Sequence, residues 1–336
     1  MKKTMIALAA SAAMFALSGT AQAADCGNVS IAEWNWASGE LMANVDKVIL
    51  EEGYGCSVEL VPGATTTTFA SMESKAQPDI AGELWINAVA EPLGKAVEAG
   101  TLVVANEGPI TDLGEGWWVT EAFAKANPDI KSVEDLLEKP ELVPHPEDAS
   151  KGGFTTCPAG WGCQLANANL FRAFEMEKKG WKMVEPGSAA GLDGSMSKAA
   201  ERGEPWFGYY WSPTALVGKY KMVKLPFEAE FAGAENWDGC IVKSEQECAD
   251  PKPSAWTKSE VNSVVTKEFK EKAPAETVEY LQKRVFPGEV MNEMLVYMGD
   301  NQATGADAAI EFLKTKEDVW TQWVSAEVAE KIKKSL

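Results

Sequence analysis

Trp161 stands between two glycines in Cys157-Pro-Ala-Gly-Trp-Gly-Cys163, a seven-residue loop with a cysteine at each end. No regular element exists there to bury the ring, and the flanking glycines let backbone N–H groups approach a bound group closely. Two further segments, Gly82-Glu83-Leu84-Trp85 and Trp206-Phe207-Gly208-Tyr209-Tyr210-Trp211, each carry a tryptophan at or beside the end of a strand pattern. Tryptophan faces attract cations, at roughly 0.5–2 kcal/mol per ring when water is excluded. A quaternary ammonium has no N–H to donate, so a cage of ring faces is its natural receptor. Trp85, Trp161 and Trp211 are the leading candidates for such a cage, followed by Trp36, Trp118 and Trp117. Of the thirteen tryptophans, Trp181, Trp320 and Trp323 lie in amphipathic patterns and read as core.

Other chemistries find little to work with. His145 is the single histidine, in a Pro-His-Pro context that reads as a surface loop, and there is no Gly-x-Ser-x-Gly, so nucleophilic catalysis lacks its base. The chain has no Cys-x-x-Cys and too few soft ligands for zinc, and no phosphate loop. No cofactor is implied, and the chain does not read as an enzyme. The six cysteines read as disulfides of an exported protein. Proximity pairs Cys157 with Cys163 and Cys240 with Cys248, leaving Cys26 for Cys56, although six cysteines allow about 15 pairings. The formal charge of −19 disfavours nucleic acid and anionic lipid and weakly favours cationic ligands. With three arginines, Arg172, Arg202 and Arg284, a bidentate clamp on an anion is not favoured.

The elements that must position the rings follow an α/β rhythm. Val29 to Trp36 alternates as a strand, and Glu40 to Glu52 has helical spacing behind Ser38 as N-cap. Strands at 57–61 and 79–84, helices at 66–76 and 88–99, and a strand at 101–105 continue a largely parallel sheet. Ligands bind outside the carboxyl ends of such strands, where Trp85 and Trp36 fall. Gly114 to Trp118 interrupts the pattern and reads as a first crossing between lobes. The run 138–153 reads as a surface loop, 154–156 as a strand feeding the cysteine loop, and 164–179 as a helix. Strands at 181–184 and 206–211 flank a helix at 193–202. A second crossing is expected between 225 and 256, with helical spacing from about 258 onward.

Residues 1–23 carry a basic start, an apolar run and Ala21-Gln22-Ala23, which together read as a cleaved secretory signal. Asp25 before Cys26 argues against a lipid-anchored cysteine, so a soluble periplasmic monomer is expected. The expected fold is a two-lobed α/β clamshell. Its lobe I comprises 24–115 plus 258–336, and its lobe II comprises 116–257.

Cys157-Pro-Ala-Gly-Trp-Gly-Cys163 and Phe207-Gly-Tyr-Tyr-Trp-Ser-Pro213, with Leu84-Trp85 as a looser match, resemble the periplasmic substrate-binding proteins of glycine betaine and proline betaine ABC transporters. The resemblance runs over most of the mature chain. It implies a tryptophan box of Trp85, Trp161 and Trp211 around a trimethylammonium group, with backbone N–H groups at Gly162 and Cys163 receiving a carboxylate. It also implies a membrane permease and a separate ATPase as partners. Some relatives hold the carboxylate with a histidine four residues after the first box tryptophan, where this chain has Val89. Choline, carnitine, trimethylamine N-oxide and dimethylsulfoniopropionate therefore stand beside glycine betaine as ligands. An acid such as Glu33, Glu83 or Glu121 would favour a hydroxyl or a protonated oxide. From another class, a secreted carbohydrate-binding protein or hydrolase could also use tryptophan platforms.

Overall fold

The computed structural model describes residues 26–336; the proposed signal segment 1–23 lies outside them. The chain opens with strands β1 (Asn28–Trp34), β2 (Ser57–Gly63), β3 (Ile80–Trp85) and β4 (Leu102–Asn106). Helices α1 (Ala37–Val48), α2 (Thr65–Lys75) and α3 (Ala90–Glu98) connect them. Next come β5 (Gly114–Val119), β6 (Pro144–His145), β7 (Asp148–Thr155), β8 (Trp181–Val184), β9 (Phe207–Ser212) and β10 (Val223–Lys224). Strand β11 (Val261–Thr266) then returns to the first sheet, and helices complete the chain.

Two mixed sheets flanked by helices result. The first has the order β2-β1-β3-β11-β4, the second β10-β5-β9-β7-β6 with β8 beside β7. In the first, β1 runs parallel to β2 and β3, while β11 enters antiparallel to both neighbours because the chain arrives from the other lobe. Strand β11 lies where helical spacing was expected. Its Val-Asn-Ser-Val-Val-Thr sequence is buried throughout, so no alternation marks it, and β-branched residues favour the strand.

Two other expectations change. Gly114–Val119 is an inner strand of the second sheet, paired with β9 over its whole length, rather than a crossing. His145 is buried at 3% exposure, its Nε2 lying 3.3 Å from the carbonyl of Met183, because the 138–153 run folds back as β6 and β7.

Each lobe has an aromatic core. In the second, Trp117 packs on Phe154 (4.6 Å between ring centres) and Phe207 (5.7 Å), with Trp181 against Phe207. In the first, Phe286, Phe312 and Trp323 form a cluster under the C-terminal helices. Trp320 is also fully buried. The cysteines pair as proximity suggested: Cys26–Cys56, Cys157–Cys163 and Cys240–Cys248. Among the described residues no helix is long and apolar enough to cross a membrane, and no group of three or more acidic, histidine or cysteine side chains is arranged to hold a metal ion.

Candidate functional site

The two sheets contribute to one cleft, lined by Trp36 and Trp85 at the carboxyl ends of β1 and β3, by Trp161 after β7 and by Trp211 of β9. Trp36 is the N-cap residue of α1, Thr65 begins α2, and Trp161 is the N-cap residue of the helix Gly162–Ala173. All three line one cavity. Gly160 holds a left-handed φ of +86°, and a Cβ on Gly162 would come within 2.4 Å of the Ala88 Cβ. Glycine at 162 is therefore what lets the cysteine loop seat against the opposite lobe.

Three hydrogen bonds fix that seating. Trp161 Nε1 donates to Asn35 Oδ1 at 2.7 Å, and Thr66 donates to the Gly160 carbonyl through N (3.2 Å) and Oγ1 (3.1 Å). The Trp161 ring meets Trp36 edge-on at 5.4 Å and Trp211 at 5.1 Å.

Trp85 and Trp211 line the same cavity, from the ends of β3 and β9, and Gly162 and Cys163 contribute the first turn of their helix. The N–H groups of such a turn have no partner within the helix and carry partial positive charge. Trp118 does not belong here. It faces the second lobe's interior, 7% exposed, with its Nε1 donating to the Tyr210 carbonyl at 2.9 Å. Trp117 lies deeper still, donating to Asn167 Oδ1. Val89 packs into the apolar core rather than facing the cavity.

Among the wall residues that the sequence did not single out, three bear on the chemistry of the cavity. Trp237 and Trp256 come from the irregular strap between β10 and β11 and meet edge-on at 5.4 Å. Trp237 Nε1 donates across the cleft to the Asn87 carbonyl at 2.9 Å. The Cys240–Cys248 bridge closes this strap, and Asn169 Nδ2 anchors it by donating to the carbonyls of Cys240, Ile241 and Lys243. A tryptophan three residues before a cysteine-closed loop was the available signal, although Trp237 precedes its loop whereas Trp161 lies within one.

The third is Glu115, on β5 directly opposite Trp211 of β9. It is 5% exposed and receives Tyr209 OH at 2.8 Å on Oε1 and Asn87 Nδ2 at 2.5 Å on Oε2. Burial pushes its carboxyl above the usual range, and the hydrogen bond from Tyr209 and the charge of Lys224 partly offset this.

The acids weighed from sequence sit elsewhere. Glu33 accepts from Asn44, Glu121 pairs with Lys125 on the surface, and Glu83 lies behind the cavity wall, bonded to the indoles of Trp36 and Trp85. Among the described residues no lysine, arginine or histidine lines the cavity. With a water radius of clearance from the wall, about 30 Å³ of space remains, where one water needs roughly 10–15 Å³. The arrangement is a compact aromatic box with one carboxyl and one helix N-terminus.

Residues 27–315 match the family described as the substrate binding domain of ABC-type glycine betaine transport systems. The chain belongs to this family. Solved structures agree on the fold. A glycine betaine/L-proline-binding protein (ProX) from Borrelia burgdorferi superposes with a TM-score of 0.69 at 15% identity, covering 91% of this chain and 99% of that one. A choline-binding protein in complex with choline gives 0.69 at 16% identity, covering 92% and 98%. Lactococcal OpuAC, closed on glycine betaine, gives 0.65 at 18% identity, covering 89% and 100%. No curated protein matches the sequence. As a member of this family the chain is a solute-binding protein and not an enzyme.

Proposed function

We propose that this protein is the periplasmic receptor of an ABC importer for a compact methylated onium solute, with choline or trimethylamine N-oxide preferred over glycine betaine. Trp36, Trp85, Trp161 and Trp211 would enclose the methyl groups, with Trp237 and Trp256 closing the strap side. The observation that carries the preference is Glu115, a buried acid in a wall that has no cationic side chain. A carboxylate ligand would find the N–H groups of Gly162 and Cys163 but would also face the charge of Glu115. A hydroxyl or a protonated oxide can instead donate to Glu115 while its cation sits among the rings.

The small cavity supports a compact ligand, and the cross-cleft bonds from Trp161, Thr66 and Trp237 support a ligand that favours the closed form. That closed form would be what the permease and its ATPase recognise. A sugar would need several free polar groups, whereas Asn87 is engaged at both ends, Nδ2 with Glu115 and Oδ1 with the N–H of Glu260.

Calorimetric titration of the mature protein tests the reading. Its ligands would be trimethylamine N-oxide, choline, glycine betaine, dimethylsulfoniopropionate and the neutral isostere 3,3-dimethyl-1-butanol. Choline or the oxide should bind about tenfold or more tightly than glycine betaine, a difference of about 1.4 kcal/mol. Glycine betaine as the tightest ligand would remove the preference, and equal binding of the neutral alcohol would remove the cage.

A further inference from the structure

Glu83 does not line the cavity, yet it is wired to it. It is fully buried, and its Oε1 accepts three hydrogen bonds at 2.9 Å, from Trp36 Nε1, Trp85 Nε1 and Ser38 Oγ. Two of these donors are indoles of the cavity wall. Among the described residues its Oε2 has no hydrogen-bond partner. A protonated acid would leave a buried O–H on that oxygen without an acceptor, whereas a carboxylate only accepts, and three converging donors suit it.

The positive charge that steadies it lies one layer deeper. Arg284, also fully buried, pairs with Asp46 at 2.9 Å and donates to the Gly82 carbonyl at 3.0 Å and to Ser263 Oγ at 2.8 Å. Gly82 immediately precedes Glu83, and a Cβ there would come within 3.2 Å of the guanidinium. Arg284 thus holds the strand that carries the acid.

We infer that Glu83 is a positioning and electrostatic residue of the onium cage that never touches the ligand. Its carboxylate orients the Trp36 and Trp85 rings and polarises their N–H bonds, leaving more electron density on the faces turned to the cation. Hydrogen bonds to an anion are the strong, polarising kind, and a buried charge acts through a low dielectric. This rests on the reading that a methylated cation occupies the cavity, and it names the residue that sets how strongly charge, as opposed to shape, is recognised.

The test is Glu83→Gln. Glutamine keeps an acceptor toward the indoles and removes the charge; its amide N–H groups lack an acceptor on the Oε2 side, a cost in stability that falls on both ligands alike. Affinities are measured for choline and for 3,3-dimethyl-1-butanol, which shares its shape without the charge. The variant should lose about tenfold or more in choline affinity while the neutral alcohol changes less than about twofold. An equal loss for both ligands would make Glu83 a structural prop, and no loss for either would make it irrelevant; each overturns the inference alone, provided the native protein separates the two ligands. If the native protein does not separate them, the cage reading fails and takes this inference with it.

Should the variant not fold, nitrogen-15 tryptophan spectra of the native chain decide. The indole N–H protons of Trp36 and Trp85 should resonate downfield of those of Trp118, Trp181 and Trp320, which donate to neutral carbonyls at 2.8–2.9 Å. Equal shifts would mean a neutral acceptor and would overturn the proposal.

Discussion

Replacing Trp161 with alanine removes the ring that touches two others in the cavity wall. The Trp161 face is worth roughly 1–2 kcal/mol to a desolvated onium. Its Nε1 bond to Asn35, at 2.7 Å across the cleft, adds about 1 kcal/mol to the closed form. The expected loss is therefore about 2–3 kcal/mol, or roughly 30- to 150-fold in the dissociation constant for choline. Trp161→Phe separates the contributions: it keeps a ring and loses the bond, so a loss of about fivefold is expected. Calorimetric titration reads both, and thermal melts establish that the variants are folded. They should be, because the ring packs on Trp36 and Trp211 at the cavity rather than on the Trp117–Phe154–Phe207 core. A Trp161→Ala protein that melts normally and binds choline within about threefold of the native affinity would refute the cage geometry.

Glu115→Gln should weaken choline by about tenfold and leave glycine betaine unchanged or tighter, narrowing the selectivity that titration reads. Arg284→Met leaves Asp46 buried without its ion pair and should cost about 3–5 kcal/mol in urea unfolding, most of it restored by adding Asp46→Asn. Replacing Cys240 and Cys248 together with serine frees an eight-residue strap spacing and should cost roughly 2–3 kcal/mol of unfolding free energy. The same variant should bind more weakly, because Trp237 and Trp256 are no longer held at the cavity.

Sequence revealed the parts of this site that local chemistry encodes. The Cys157–Cys163 loop is legible because glycines and cysteines punctuate it, and Gly162 is required where the loop meets Ala88. Trp85 and Trp211 are legible because strand ends in an α/β sheet are where ligands sit. Trp118 misleads because it stands three positions from Glu115, an odd step that puts it on the other face of β5: its partner across the ladder is Gly208, whereas that of Glu115 is Trp211. Glu115 itself could not be separated from the other acids, since only pairing with β9 and the approach of Asn87 from the opposite lobe bury it. Trp256 lies on irregular backbone, and Trp237 opens a five-residue helical turn, Trp237–Ile241, too short to show a period. Strand β11 was missed because a strand buried on both faces has no alternation, and its partners lie more than 150 residues earlier in the chain.

Of the 50 acidic residues, burial singles out Glu115 at the cavity wall and Glu83 behind it. Glu83 and Glu115 have carboxyls pushed above their ordinary value of 4.5, in each case chiefly by desolvation. Arg284 faces Glu83 and Lys224 faces Glu115, and each charge pulls its partner partway back. Surface acids behave oppositely: the Glu91 carboxyl is held down to about 2 by Lys243 and Lys95. The signs then separate binding from stability. An acid with a raised folded value contributes stability that is fully present below its unfolded value and lost as pH rises through the folded one, because native protein holds the proton more tightly. The stabilising effect of the lowered surface acids is lost only as pH falls below about 4.5. Lowering pH until these buried acids take up protons should therefore hold or raise the melting temperature of the free protein. As those protons bind, choline affinity should fall, because the proposed cage loses the charges of Glu83 and Glu115, and any binding of 3,3-dimethyl-1-butanol should stay level. The melting gain should be smaller in Glu115→Gln, which has one fewer proton to take up. A choline affinity that rises as pH falls would mean that neither buried acid acts as an anion in binding, and the charge assigned to the cage would have to come from the rings alone.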